Sequence, residues 1–162
     1  MSAPYHAFVQ VENTILKIET DDVSVKAISF VKNIEENSPE APPILKDAVI
    51  QLEKYLLGKL QEFELILNPE GTDFQKKVWN TLLTIPYGAT CSYADMANSL
   101  GDPKVIRAAA SANGKNPIAI VIPCHRVIGT NGSLTGYAGG LDNKRLLLDL
   151  ENKVANGVMT LF

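Results

Sequence analysis

Residues 92–114 read SYADMANSLGDPKVIRAAASANG, and the way this stretch divides decides the architecture. Ser92 can cap a short helix running through Leu100, after which Gly101, Asp102 and Pro103 force a turn. Asp102 suits the N-cap of a second helix, with Pro103 at its first position, where a missing N–H costs nothing. That helix is expected to reach about Ala112 and to leave through Asn113 and Gly114 in a left-handed conformation. Two short helices about a glycine-containing turn make a candidate helix-turn-helix. The second helix carries Arg107 followed by Ala108, Ala109, Ala110, Ser111 and Ala112. Such side chains are too short to read base edges in a major groove, which takes Arg, Asn or Gln. They let a helix backbone approach another surface closely, either a protein core or the minor groove of DNA.

Upstream, Thr72 and Gln75 have the spacing of a capping box. Phe74, Val78, Trp79, Leu82 and Leu83 then form an apolar helix face, with Trp79 as a core residue. The break at Asn68, Pro69, Glu70 and Gly71 is the expected boundary between a domain over 1–71 and one over 72–162. Three segments, 5–11, 14–20 and 23–31, are rich in Val, Ile, Phe and Tyr and predict a short antiparallel meander. Turn chemistry stands at Asn13, Asp21 and Asp22. Residues 35–43 predict a loop. Ile44, Leu45, Ala48, Val49, Leu52 and Leu56 recur at helical spacing until Gly58. Phe63, Leu65 and Leu67 alternate and predict one more strand. The fold class is α/β in the α+β sense: a small antiparallel sheet with a helix first, then a mostly helical domain with the helix-turn-helix.

A length of 162 residues gives room for one ordinary domain or two small ones. With 46% hydrophobic and 20% charged residues the composition is globular rather than disordered. Apolar runs such as residues 118–122 are too short to cross a bilayer, and residues 1–6 lack the basic stretch and apolar core of a secretion signal. A soluble, unexported, cytoplasmic protein is expected. Two cysteines, Cys91 and Cys124, build no disulfide framework and suit a reducing compartment. Scattered among only two histidines, they also argue against a structural zinc site. The net charge of −3 by itself argues against a nucleic-acid binder. Its distribution does not: residues 1–71 carry a balance of −6, residues 72–132 one of +3. This asymmetry predicts an anion-binding C-terminal part, although chance clustering on solvated helices gives the same pattern.

The chemistry stands at Ile122-Pro123-Cys124-His125-Arg126-Val127-Ile128. An apolar, strand-like segment over 118–122 ends at Pro123 and delivers a cysteine beside a histidine. Cys91 has no such neighbours and is assigned as a small inert hydrophobe. For Cys124, the flanking His125 and Arg126 predict a lowered thiol pKa. A drop from about 8.5 to below 6 raises the thiolate fraction at neutral pH roughly 30-fold. A histidine next to its cysteine in sequence is unusual for thiol hydrolases, whose partner is normally distant.

With Ser92-Tyr93 and Arg107-Ala108 upstream and Tyr137-Ala138-Gly139-Gly140-Leu141 downstream, this heptapeptide resembles the O6-alkylguanine-DNA alkyltransferases. The resemblance covers residues 72–151 closely and residues 1–71 only in their strand–helix pattern. It implies a ribonuclease H-like first domain and a winged-helix-like second. It implies a monomer that needs no cofactor or membrane and acts on double-stranded DNA containing O6-alkylguanine. In such a reaction a base flipped from the minor groove presents its alkyl carbon to Cys124. A methyl or larger alkyl group moves once, irreversibly, from O6 of guanine (or O4 of thymine) to the protein. By the same resemblance a histidine–water–glutamate relay, here His125 and Glu151, takes the thiol proton. Tyr93 protonates the leaving base towards N3, and Asn116 ties the turn supporting the nucleophile. Val127, Tyr137, Ala138 and Gly139 shape the base pocket, with the carbonyls of Cys124 and Val127 and the Ala138 N–H contacting the base. Arg107 fills the vacated stack, while Ser92, Lys104, Ala108, Ala109, Ser111 and Lys115 line the DNA side; Arg126 is either a further phosphate candidate or tied up internally beside the site. Some relatives hold zinc through Cys and His in the first domain; here that region offers only His6, so no metal is expected. Three rivals are a non-catalytic damage binder lacking the cysteine, a winged-helix regulator, and a Cys–His thiol hydrolase. Cys124 speaks against the first and the Pro-Cys-His-Arg sequence against the second; turnover would separate the third from a single-use acceptor.

Overall fold

Alternation in residues 14–20 builds the first of two compact units. Thr14, Leu16, Ile18 and Thr20 share the buried face of β2 (Thr14–Thr20), because successive side chains on a strand take opposite sides. Antiparallel β1 (Tyr5–Val11) pairs with it from Tyr5 opposite Thr20 to Val11 opposite Thr14. On the other side β3 (Val25–Phe30) completes the order β1-β2-β3, with a register shift at Glu19/Thr20. The computed structural model describes residues 3–157. One unit comprises the chain up to Glu70 together with Pro117–Ala119; the other comprises Gly71–Asn116 and the chain from Ile120 onward.

In the first unit α1 (Pro43–Leu56) starts on proline rather than on a side-chain cap and buries Leu45, Ala48, Leu52 and Tyr55. That face packs on β1 and β2 and joins Val9, Leu16, Ile18 and Ile28 in the core. Ile44 and Leu56 stay half-buried at its edge.

Two stretches expected as strands fold otherwise. Around Phe63, Leu65 and Leu67 only Leu67 makes a bridge, parallel to Val25. The backbone of Glu64 is instead held by the Gln51 amide, which accepts from its N–H at 2.8 Å and donates to its carbonyl at 3.1 Å. Phe63 turns onto Tyr55, with ring centroids 5.5 Å apart. A side chain of α1 thus takes the place of a partner strand. Likewise, of the expected segment 118–122 only Ile118 bridges, to Ile28. The chain then turns through Ile120 at φ 72°, a left-handed conformation that a β-branched residue rarely adopts.

The second unit opens on α2 (Asp73–Leu82). Its cap is reciprocal: Thr72 Oγ1 accepts from the Gln75 N–H at 3.1 Å, and Gln75 Oε1 accepts from the Thr72 N–H at 2.9 Å. Val78, Trp79 and Leu82 face inward. The two-residue strand β4 (Cys91–Ser92) leads into α3 (Tyr93–Ser99), capped by Ser92 with Asp95 in the reciprocal role. After Gly101 at φ 90° the chain makes a 3-10 turn over Pro103–Val105, capped by Asp102, and then α4 (Ile106–Gly114). The expected single helix from Asp102 is therefore a 3-10 turn followed by an α-helix. Nor does it exit left-handed: the Lys115 N–H closes onto the Ala112 carbonyl at 3.1 Å, a tightened last turn that needs no positive φ. Trp79, the only tryptophan, ties the elements together by donating from Nε1 to the Ala112 carbonyl at 2.8 Å. A Cβ at Gly71 would lie 2.5 Å from the indole, so glycine is required where the chain enters this unit. The short strand β5 (Val127–Ile128) pairs parallel with β4, and α5 (Leu141–Asn156) ends the described chain. The described residues form a mixed α/β fold with one small antiparallel three-stranded sheet, the β4–β5 pair and five α-helices. No helix among the described residues is long and apolar enough to cross a membrane.

Candidate active site

Pro123 sets the geometry that delivers Cys124. Its φ of −82° and ψ of 62° form an inverse γ-turn, closed by the Cys124 N–H donating to the Ile122 carbonyl at 2.8 Å. One 3-10 turn over Cys124–Arg126 follows. The strained Ile120 lies four residues upstream, and the Asn116 amide braces the turn by donating to the Ile122 carbonyl at 2.7 Å. A left-handed β-branched residue costs on the order of 1–3 kcal/mol and persists only where its surroundings hold it. Here Ile120 and Ile122 are themselves both buried.

Successive residues of the turn are buried together with a residue of α5. His125 is fully buried, Glu151 is 1% exposed, and His125 Nε2 meets Glu151 Oε2 at 2.6 Å. Arg126 donates from Nε to Oε1 at 2.8 Å, from Nη2 to Oε2 at 3.0 Å, and from Nη1 to the Ile85 carbonyl at 2.7 Å. Burial would raise the Glu151 carboxyl, but the hydrogen bonds of His125 and Arg126 and the Arg126 charge outweigh it and hold the group at about 2. Burial keeps His125 below its ordinary range, so the imidazole is neutral. Neutral, it donates from Nε2 to the ionised carboxylate, which leaves the lone pair on Nδ1. That Nδ1 is buried and has no hydrogen-bond partner among the described residues. The pair is a base with its tautomer already chosen.

The lowering of the Cys124 thiol expected from His125 and Arg126 does not occur. Burial pushes the thiol up, and what works against burial is the Asn116 side chain, the Lys144 ammonium and local backbone N–H groups. The Arg126 guanidinium and His125 Nε2 are committed to Glu151, so neither places a positive charge on the sulfur. Lys144, not singled out from the sequence, is fully buried and donates from Nζ to the Val127 and Thr135 carbonyls, both at 2.7 Å. Burial depresses it to about 8. Its signal was present: residues 144, 147, 148 and 151 recur at helical spacing on the buried face of α5, so a lysine there had to point inward.

Tyr93, the first residue of α3, is half-buried, and its hydroxyl lies 3.5 Å from the Thr135 carbonyl. The pKa of Tyr137 is pushed well up by burial and by the nearby Cys124 and Glu151. The Val127 carbonyl, expected to face a base, already accepts from Lys144, leaving one lone pair. Ala138 is exposed, while Gly139 is half-buried and accepts from the Asn143 amide at 2.7 Å. On the helix-turn-helix, Lys104, Arg107, Ala108, Ser111 and Lys115 are exposed. Ala109 is not among them: with Ala112 it faces inward, towards the helix packing. Ser92 is half-buried with its hydroxyl engaged in the cap. Arg126 is enclosed by Glu151, Ile85 and the Tyr87 ring, which removes it as a phosphate ligand.

Residues 73–153 match the family model described as 6-O-methylguanine DNA methyltransferase, DNA binding domain. A methylated-DNA–protein-cysteine methyltransferase of Methanosarcina acetivorans is 45% identical over 91% of this chain and 97% of its own length. The protein of that name from Mycobacterium tuberculosis is 54% identical over 75% of this chain and 73% of its own. Among solved structures, M. tuberculosis OGT in complex with DNA superposes with a TM-score of 0.83 at 42% identity, covering 93% of this chain and 94% of that one.

Proposed function

Because the chain belongs to the 6-O-methylguanine DNA methyltransferase family, we propose that it repairs DNA by moving an alkyl group from O6 of guanine onto its own Cys124. The observation that carries this reading is the buried His125–Glu151 pair at 2.6 Å, one residue from the cysteine, with an open Nδ1. The thiol proton passes to Nδ1, with or without an intervening water, and the resulting imidazolium is stabilised by the carboxylate already on Nε2. Sulfur then attacks the alkyl carbon in line: the S–C bond forms, the C–O bond breaks, and the electron pair leaves on O6. Tyr93 supplies a proton at the base's N3 edge, so guanine departs neutral. The product is a thioether, which has no leaving route, so the protein is used once. Lys144 and Asn116 favour the thiolate inside an otherwise apolar setting.

The base reaches this site by extrusion through the minor groove. Unstacking and unpairing cost a few kcal/mol, offset when the exposed Arg107 enters the vacated stack. Ala108 and Ser111 permit close approach, and Lys104 and Lys115 meet phosphates. O4-alkylthymine, with the same alkyl-ether chemistry, is a second substrate. We read the first unit as a ribonuclease H-like support over residues 1–71 and the second, over 72–162, as a winged-helix-like DNA-binding and acceptor domain. The protein works as a cytoplasmic monomer.

Intact-mass measurement after incubation with O6-methylguanine duplex tests the reading. One methyl equivalent should be added and the reaction should then stop. Cys91→Ser should behave like the parent. Methyl transfer by Cys124→Ser, or release of demethylated DNA beyond one equivalent, would refute it.

A further inference from the structure

Two consecutive residues in the first turn of α5 hold three carbonyls of the stretch 135–140. Lys144 donates from Nζ to the Thr135 carbonyl at 2.7 Å and from its backbone N–H to the Gly140 carbonyl at 3.1 Å. Asn143 donates from its side-chain amide to the Gly139 carbonyl, also at 2.7 Å. In an unbroken helix that carbonyl would accept from the Asn143 backbone N–H, four residues on. Gly140, at φ 94° and ψ 148°, a conformation open essentially to glycine alone, takes Gly139 out of the helix. The Asn143 side chain reaches the carbonyl in place of the helix backbone. Between these fixed points lies one four-residue turn, in which the Gly140 N–H donates to the Tyr137 carbonyl at 2.9 Å. Ala138, at its centre, is exposed, and its N–H donates to no group among the described residues. With glycine at both 139 and 140, the backbone that presents this N–H has little stiffness of its own.

We propose that Asn143 is a positioning residue for the base pocket: by fixing the Gly139 carbonyl it holds the turn over 137–140 so that the Ala138 N–H meets O6 of the bound base. This rests on the reading of the chain as an acceptor of alkyl groups from O6 of guanine. As the C–O bond breaks, the electron pair collects on O6. A donor held in place beforehand stabilises that charge without first having to be oriented. The ether oxygen of the intact substrate carries little charge, so Asn143 acts on the transfer step more than on binding.

Two variants test the assignment. Asn143→Leu removes the amide without adding charge. Asn143→Asp keeps the shape, loses the donor and places a carboxylate in the first turn of the helix, where it favours the helix. A loss shared by both variants therefore comes neither from an added charge nor from a weakened α5. Exchange of the Gly140 amide with water, followed by NMR, reports whether the turn opens. Single-turnover transfer from free O6-benzylguanine over a range of concentrations separates Kd for the base from the rate constant of transfer. The Gly140 amide should exchange faster in both variants. The rate constant should fall about fivefold to tenfold, the worth of one hydrogen bond, with Kd nearly unchanged. Unchanged Gly140 exchange, or faster exchange with transfer at the parent rate, overturns the role of Asn143 while leaving the alkyl acceptor in place. So does a loss confined to Asn143→Asp, or one that lies wholly in Kd. A parent protein that takes no benzyl group onto Cys124 overturns the reading of the site itself, and Asn143 with it.

Discussion

The Arg126 guanidinium offers five N–H donors, and all three of its nitrogens are engaged inside the molecule. Two face Glu151 as a fork, the geometry in which Arg exceeds Lys. The third holds the Ile85 carbonyl, so the loop carrying Tyr87 and Gly88 is fastened to the same carboxylate; the Gly88 N–H also donates to Glu151 Oε1 at 3.2 Å. Glu151 is therefore a structural as well as a chemical centre, and its titration carries stability. Its folded value of about 2 lies below the ordinary 4.5, so its contribution is complete above 4.5 and is lost as pH falls towards 2. The difference amounts to about 3 kcal/mol. Thermal melts between pH 6 and pH 2 should show this acid-labile part, and it should shrink in Arg126→Met. At neutral pH that variant, with a buried carboxylate half-deprived of partners, should lose on the order of 3 kcal/mol or more. Melts of Arg126→Met that track the parent at every pH would show that the fork contributes nothing. Sequence placed Arg126 beside the thiol and among the phosphate candidates but could not name its partner, which lies 25 residues away on another helix.

Elements divide by whether their ends are decided locally. The caps at Thr72, Ser92 and Asp102 were legible because a capping residue and its target lie within three positions of each other. The helix α4 shows the limit. Its alanines were readable as small, but not which of them face inward: Ala109 and Ala112 pack, while Arg107, Ala108 and Ser111 stay on the surface. A close-packing face and an exposed face thus run along one short helix. Arg107→Ala should therefore leave packing and stability within about 0.5 kcal/mol. It should slow methyl transfer from duplex DNA more than benzyl transfer from the free base, which needs no extrusion. Equal losses on the two substrates would count against the stack-filling role. The segment over 118–122 departs from the expected strand for a related reason. Its apolar run has strand composition, but Ile120 in the left-handed region and the Asn116 brace on Ile122 turn it into a support for the nucleophile.

For the whole molecule, net charge understates the affinity of one part for DNA. The balance of +3 over residues 72–132 includes Arg126, which is enclosed, so the cations left for phosphates are few. Binding to undamaged duplex should be modest and insensitive to sequence. Its log–log salt slope should correspond to roughly 2–4 phosphates at about 0.9 each. Neutralising Lys104 and Lys115 should flatten the slope, whereas neutralising Lys17, Lys26 and Lys32 should leave it nearly unchanged; the reverse result would put the DNA on the first unit. The sequence by itself determined the meander, the helices with their caps, and the Pro-Cys-His-Arg motif, since each depends on residues close along the chain. Only the tertiary structure decided which charges serve which group. It gave Arg126 and the Nε2 of His125 to Glu151, and it brought Lys144 and Asn116 to the sulfur. The reason is physical: a charge in a buried site acts through distance and desolvation, and neither is a property of neighbours in sequence.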